Sequence, residues 1–253
     1  YVKSSASATF GADLVAHVLD ETSATASNEA FVGRESSSDK FQSGEDSGLE
    51  IDSGVLLTTG DFLLWKGGDD GHNEDGEGAP LKARGDFDLE NRVAGSLTED
   101  AAALEFDVYC PNGQLEFDYQ LGSEEYDEWV FEYNDSFMVT VDGAVVTRVP
   151  DCSDIVAVNS VNNGNAEFYP KRDPVNRHLF LDDDTDIDPR VSIANQPFQV
   201  EYDGMTIRLR AHVLVKPKST HSVRIVIADV NDGELDSAVC LSEASLRTIE
   251  PEP

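Results

Sequence analysis

Leu104-Glu105-Phe106-Asp107-Val108, then Pro111-Asn112-Gly113, then Leu115-Glu116-Phe117-Asp118-Tyr119-Gln120-Leu121 is the stretch whose reading decides the fold. Apolar and polar residues alternate on both sides of a turn-forming tripeptide. Successive strand side chains point to opposite faces, so this alternation places one face in a core and the other in water. Pro, Asn and Gly favour turns, and the whole stretch predicts a β-hairpin. Working outward, Gly54 to Gly60 is an apolar run bounded by glycines, with Phe62-Leu63-Leu64-Trp65 close behind and an acidic, Gly-rich loop over 67–78. Phe137–Val141 and Val145–Val149 flank Asp142-Gly143, a second predicted hairpin. Met205 to Val213 carries apolar residues at every second position. Val223–Ile227 is expected to pair with it across Lys216-Pro217-Lys218, and Ala238–Leu241 supplies a last strand. A helical period appears once, at Leu14, Val15, Val18 and Leu19. About ten short strands with one short N-terminal helix predict an all-β fold, a β-sandwich or jelly roll. With no visible linker or repeat, residues 1–253 read as one domain.

The charge is extreme: 18 Lys and Arg against 50 Asp and Glu, a formal net of -32. Such a field repels phosphates and anionic lipid, which excludes nucleic acid and acidic membrane surfaces as natural partners. It also strains the compact state unless cations screen or bind it. A salty or calcium-rich medium suits this composition, and so does an ordinary acidic secreted protein. No apolar run approaches the ~20 residues of a spanning helix, so membrane insertion is not expected. Tyr1 in place of Met points to processing or trimming. Cys110 and Cys152 both lie near turn signals and could form a disulfide in an oxidising compartment. Cys240 reads as a small buried hydrophobe.

Two acidic clusters stand beside predicted strands. The first is Ser123-Glu124-Glu125-Tyr126-Asp127-Glu128 with Asn134-Asp135 behind it; the second is Asp229-Val230-Asn231-Asp232-Gly233-Glu234-Leu235-Asp236. Ca²⁺ takes about six to eight oxygen ligands from carboxylates, amides and carbonyls, which suits carboxylates crowded onto turns. The candidate ligands are Glu124, Glu125, Asn134, Asp135, Asp229, Asp232 and Asp236, with Ca²⁺ as the cofactor. Asp229-x-Asn231-x-Gly233 lacks the oxygen donor and the helices of an EF-hand, so a site has to be assembled from separate loops. The alternative is that these carboxylates cap turns by accepting backbone N–H bonds. A third run, Asp182 to Asp188, reads as a solvated charge run or a weaker cation site. Tyr126 and Trp129 are candidates for stacking on a sugar, against the ordinary fate of aromatics beside strands, which is the core. A Glu124/Asp229 acid–base pair is conceivable in any acid-rich chain. No nucleophile elbow, zinc spacing or phosphate loop accompanies it.

Several segments resemble the choice-of-anchor L domain family: Leu49 to Gly60, Asp100 to Asp107, Ser123 to Glu128 with Tyr133 to Phe137, Val158 to Asn162, Tyr202 to Thr206, and Ile227 to Val239. The resemblance spans about residues 12 to 246. It implies a secreted or cell-surface microbial protein, attached through varied C-terminal anchors and without known catalysis. Here Arg247 to Pro253 reads as a plain tail, and Cys240 stands where the family carries an aromatic. The expectation is therefore an extracellular, non-catalytic structural protein. It would be a calcium-stabilised cell-surface or matrix component or fibre subunit that associates with itself or with other surface proteins. Sheet edges can accept an added strand, and Tyr1 to Phe10 is a candidate donor. The alternative is a calcium-dependent carbohydrate-binding or adhesion module with glycans as partners. A hydrolase using Glu124 is the third reading.

Overall fold

A computed structural model describes residues 8–62, 81–92, 96–126, 128–165, 171–182 and 200–251. Within them two antiparallel sheets form a sandwich. The first sheet runs in the order β1 (Thr25–Val32), β4 (Thr98–Cys110), β11 (Ser219–Val230), β6 (Ser136–Val141), β7 (Ala144–Val145). The second runs β2 (Ser38–Phe41), β3 (Gly54–Thr58), β12 (Ser237–Ser242), β5 (Gln114–Ser123), β9 (Gly204–Thr206), β8 (Phe180–Asp182). Two further strands, β10 (Leu209–Leu214) and β13 (Arg247–Ile249), also pair with β5, on opposite sides of it, which corrects the expected plain tail over its first three residues. One helix, α1 (Ala8–Val18), lays Leu14, Val15 and Val18 onto the core, as its spacing predicts; a second, α2 (Phe87–Arg92), buries Leu89 on the outer face of the first sheet.

The core between the sheets takes Leu104, Phe106 and Val108 from β4, and Leu115, Phe117, Tyr119 and Leu121 from β5. These are the alternating residues of the deciding stretch, and they are buried as expected. The hairpin is not there. Strand β4 pairs with β1 and β11, whereas β5 pairs with β12, β13, β9 and β10. Residues 111–113 are a corner at which the chain crosses from one sheet to the other. The expected pairing of Val223–Ile227 with the preceding strand fails in the same way, because β10 lies on β5 and β11 on β4. Strands facing each other across a core show the same period-two pattern as strands side by side, so alternation cannot separate the cases. The two corners are tied together: Val215 N donates to Gly113 O at 2.9 Å and Lys218 N to Cys110 O at 2.7 Å.

Other expectations are met in part. The Asp142-Gly143 hairpin forms, but its second strand is only Ala144–Val145. The long strand read from Met205 to Val213 breaks at Ile207–Arg208, where Ile207 N turns to Leu179 O and Arg208 N to Glu50 Oε2. Phe62 packs on an outer apolar cluster around Cys240 and Met205; residues 63–65 of that expected strand and the loop at 67–78 lie outside the described residues. All three cysteines are free, which corrects the Cys110–Cys152 disulfide: Cys110 is buried at the end of β4, and Cys152 is exposed on a turn beside Asp154. The expected donor strand is corrected over its last three residues, which begin α1, with Phe10 edge-to-face on Phe31; residues 1–7 lie outside the described residues.

The strand directions define two ends of the sandwich. At one end β3, β5 and β11 finish and β4, β6 and β12 begin, because Thr98 pairs with Val230, Ser136 with Ala228, Ser237 with Ser123 and Ala238 with Thr58. The two corners lie at the other. Strand β11 spans the distance with 12 residues, about 40 Å at the usual rise.

Candidate functional site

Both acidic clusters converge on the end where β5 and β11 finish. Glu124 and Glu125 follow β5 directly, Asp135 precedes β6, Asp229 is in the last turn of the β11 ladder, and Asp236 precedes β12. All five are buried. The clusters that sequence placed a hundred residues apart are thus one cluster, held by reciprocal bonds. Asp236 N donates to Glu124 Oε2 at 2.7 Å, and Glu124 N to Asp236 O at 3.1 Å. Asp135 Oδ1 accepts from Val230 N at 2.9 Å, and its Oδ2 lies 2.7 Å from Ser237 Oγ, which is itself 2.8 Å from Ser123 Oγ. These bonds stitch β5 and β12 of one sheet to β6 and β11 of the other.

Asp100 is a further member that sequence reasoning missed as a site residue. It is 1% exposed near the start of β4, at φ +48°, and accepts from Lys82 N and Ala83 N. An acid in the left-handed region at a strand start is the only local sign, and it does not show in the sequence. Two glycines let backbone approach the carboxylates. A Cβ at Gly60 would sit 1.8 Å from Asp236 Oδ2, and one at Gly233 would sit 2.9 Å from Asp100 Oδ2 and 3.5 Å from Asp229 Oδ2. Both positions are therefore closed to larger residues unless a carboxylate moves away.

Turn capping accounts for only part of the cluster. Glu125 Oε2, Asp236 Oδ1 and both oxygens of Asp229 are buried without a hydrogen-bond partner; Thr59 and Asp135 stand near Asp229 but do not reach bonding geometry. Among the described residues, no Lys, Arg or His forms an ion pair with Glu124, Glu125, Asp135, Asp229, Asp236 or Asp100. Burial, and after it the neighbouring negative charge, pushes the carboxyls upward: Glu124 to about 8 and Asp236 to about 7. Burial likewise raises Glu125, Asp135 and Asp229, with Asp135 adding to the other two. At neutral pH such a site must take up protons or a cation. Among the described residues, no three His, Cys, Asp or Glu side chains already converge as a closed metal cage.

The remaining candidates are placed as follows. Asn134 is half-buried and its Oδ1 is engaged by Asn159 N at 2.8 Å, so it braces a neighbouring turn. Asp232 is half-buried at the outer margin, where its Oδ1 accepts from Glu234 N at 3.4 Å and its carboxylate pushes the titration of the nearby Tyr133 hydroxyl upward. Tyr126 is fully buried against Phe180, ring centroids 4.7 Å apart, and offers no surface for stacking. Trp129 is 44% exposed and edge-to-face with Tyr133 at 5.8 Å. Asp182 is buried on β8 and accepts from Asn163 Nδ2; the rest of its acidic run, 183–188, lies outside the described residues. So does Asp127.

The sequence model of the choice-of-anchor L domain matches residues 3–247, nearly the whole chain. Neither a curated protein nor a solved structure matches it. Among the described residues no helix is long and apolar enough to cross a membrane.

Proposed function

Because the chain belongs to the choice-of-anchor L family, which points to a surface-associated and non-catalytic protein, we propose that it is an extracellular structural component whose carboxylate rim binds Ca²⁺. One observation carries this reading: buried carboxylates from both sheets meet at one end, four of their oxygens are unpartnered, and no described basic residue neutralises them. A divalent ion would draw these groups inward and complete its shell with carbonyl oxygens and water, as Ca²⁺ sites do. Asp229, Asp236, Asp135, Glu124 and Glu125 are the residues that would hold it, and Asp100 joins them as a new candidate. Its effect would be to fasten the sheets together.

The test is a melting curve with Ca²⁺ and with chelator. An ion held a hundredfold above its Kd by the native state alone adds about 2.7 kcal/mol, or about 5–10 °C for a domain of this size. An unchanged midpoint would reject the calcium reading.

A second reading, calcium-dependent glycan binding, is favoured by the exposed Trp129 beside Tyr133 on the same rim. An exposed indole suits sugar stacking. A glycan array with and without chelator, repeated with Trp129→Ala, tests it. Binding indifferent to both would reject it.

A further inference from the structure

One corner at the opposite end of the sandwich carries the complementary sign, beside the acids Asp142 and Glu250 that also lie at that end. Between Gly204 and Ala228, 25 consecutive residues hold no Asp or Glu, although the whole chain has 50 in 253; the same segment holds Arg208, Arg210, Lys216, Lys218 and Arg224. Two of these are consumed internally. Arg210 forks onto Asp118 at 2.6 and 2.8 Å, and Arg224 holds Asp86 and Glu105. Lys216 and Lys218 are not: they flank Pro217 at the tip of the β10–β11 corner, all three exposed, with no ion pair among the described residues. Leu214, 71% exposed, stands beside them. That corner is fixed rather than loose, because Lys218 N and Val215 N are bonded to the β4–β5 corner. At the other end, about 40 Å away along β11, the outer margin of the rim presents Trp129, Glu132 and Glu234 to solvent.

We propose that these two ends are the halves of one interface, so that the Lys216-Pro217-Lys218 corner of one copy docks on the Trp129–Glu132–Glu234 face of the next. Ammonium groups meet carboxylates and the face of an indole, the pairing favoured both by charge and by cation–π attraction. Leu214 and Pro217 supply apolar area around a Trp, the residue type most often central to an interface. A patch that binds a different patch on an identical chain is heterologous, and with the two at opposite ends of a brick it propagates as an open filament instead of closing. The partner is thus a second copy of this chain. The proposal rests on the reading of the chain as a structural subunit, and not on the calcium reading, since neither lysine nor Glu132 nor Glu234 belongs to the buried carboxylate set.

Charge exchange tests it. Lys216→Glu/Lys218→Glu makes both ends acidic, and Glu132→Lys/Glu234→Lys makes both basic. Wild type is expected to sediment as concentration-dependent polymers at physiological ionic strength and to show filaments by electron microscopy. Each double variant alone is expected to stay monomeric with an unchanged melting midpoint. An equimolar mixture of the two is expected to polymerise, alternating along the filament. A monomeric wild type, polymerisation of Lys216→Glu/Lys218→Glu at the wild-type level, or a mixture that stays monomeric would overturn the proposal. The calcium-dependent rise in midpoint, measured on Lys216→Glu/Lys218→Glu, reports separately on the rim.

Discussion

Strand β5 carries two treatments of the same problem within ten residues. Glu116 and Asp118 are largely buried, and each has a guanidinium: Arg247 lies 2.7 Å from Glu116, and Arg210 reaches both. Glu124 and Glu125, just past the end of the strand, are buried as deeply and have none among the described residues. A chain with only 18 Lys and Arg concentrates arginine on these mid-strand carboxylates, and no described basic residue pairs with the rim. Burying an unpaired charge is expensive, whereas a paired one roughly breaks even. The contrast therefore separates carboxylates paired within the chain from carboxylates that have no described basic partner.

The largest effect should come from removing the internal cations. Arg210→Ala/Arg247→Ala leaves Glu116 and Asp118 without their guanidinium partners, a loss of about 2 kcal/mol once the half-exposed arginines are discounted for solvent screening, read as a lowered denaturation midpoint. Calcium should not restore it. If the variant melts like wild type, the mid-strand pairs are not structural and the contrast collapses.

The next effect has a sign that depends on calcium. Without the ion, folded Glu124 and Asp236 titrate near 8 and 7, above the ~4 of an unfolded carboxyl. The folded state then holds more protons than the unfolded one, so stability falls as pH rises from about 4 to 8. Asp229→Asn removes one of the repelling groups and should stabilise the ion-free protein at pH 8 by about 1 kcal/mol. The same substitution should shrink the calcium-induced rise in midpoint. Melting curves at pH 5 and pH 8, with and without chelator, check both signs; an ion-free protein more stable at pH 8 than at pH 5 would contradict the reading.

The smallest effect lies near the basic corner. His221 offers Nδ1 to Asp142 at 2.7 Å and Nε2 to Lys216 O at 2.9 Å, two acceptors that only an imidazolium can satisfy together. Burial pulls its titration down, but the Asp142 carboxylate and the Lys216 carbonyl outweigh burial and raise it. Its contribution is present in full below ~6.5 and disappears as pH climbs through the folded value. Asp142→Asn should lower the NMR titration midpoint of His221 and cost at most about 1 kcal/mol. A midpoint that does not move would show the clamp to be idle.

Much of this was legible in the sequence. The alternating residues Leu104 to Val108 and Leu115 to Leu121 announced their burial, and the helical spacing at Leu14 to Leu19 announced α1. What alternation cannot carry is the identity of the neighbour, so two corners read as hairpins. The site was legible as carboxylate-rich turns, and five of its candidates are buried together. The turns did not reveal that both clusters share one rim, which depends on β5 and β11 ending side by side. Asp100 escaped because only a fold that curls Lys82 and Ala83 over it makes it part of the rim. Tyr126 went the other way: an aromatic in an acidic turn suggested a surface, and packing against Phe180 took it inside.

The most direct trial of the claim that the rim is built for an outside cation is calorimetric titration of Ca²⁺ at pH 7, in two buffers of different ionisation enthalpy. Saturable binding with a Kd of about 0.1–1 mM, the range of extracellular calcium modules, should be accompanied by proton release, because the ion displaces protons that the raised carboxyls hold. It should vanish in Asp135→Asn/Asp229→Asn. No saturable heat in either buffer, with the rim carboxyls remaining protonated, would contradict it.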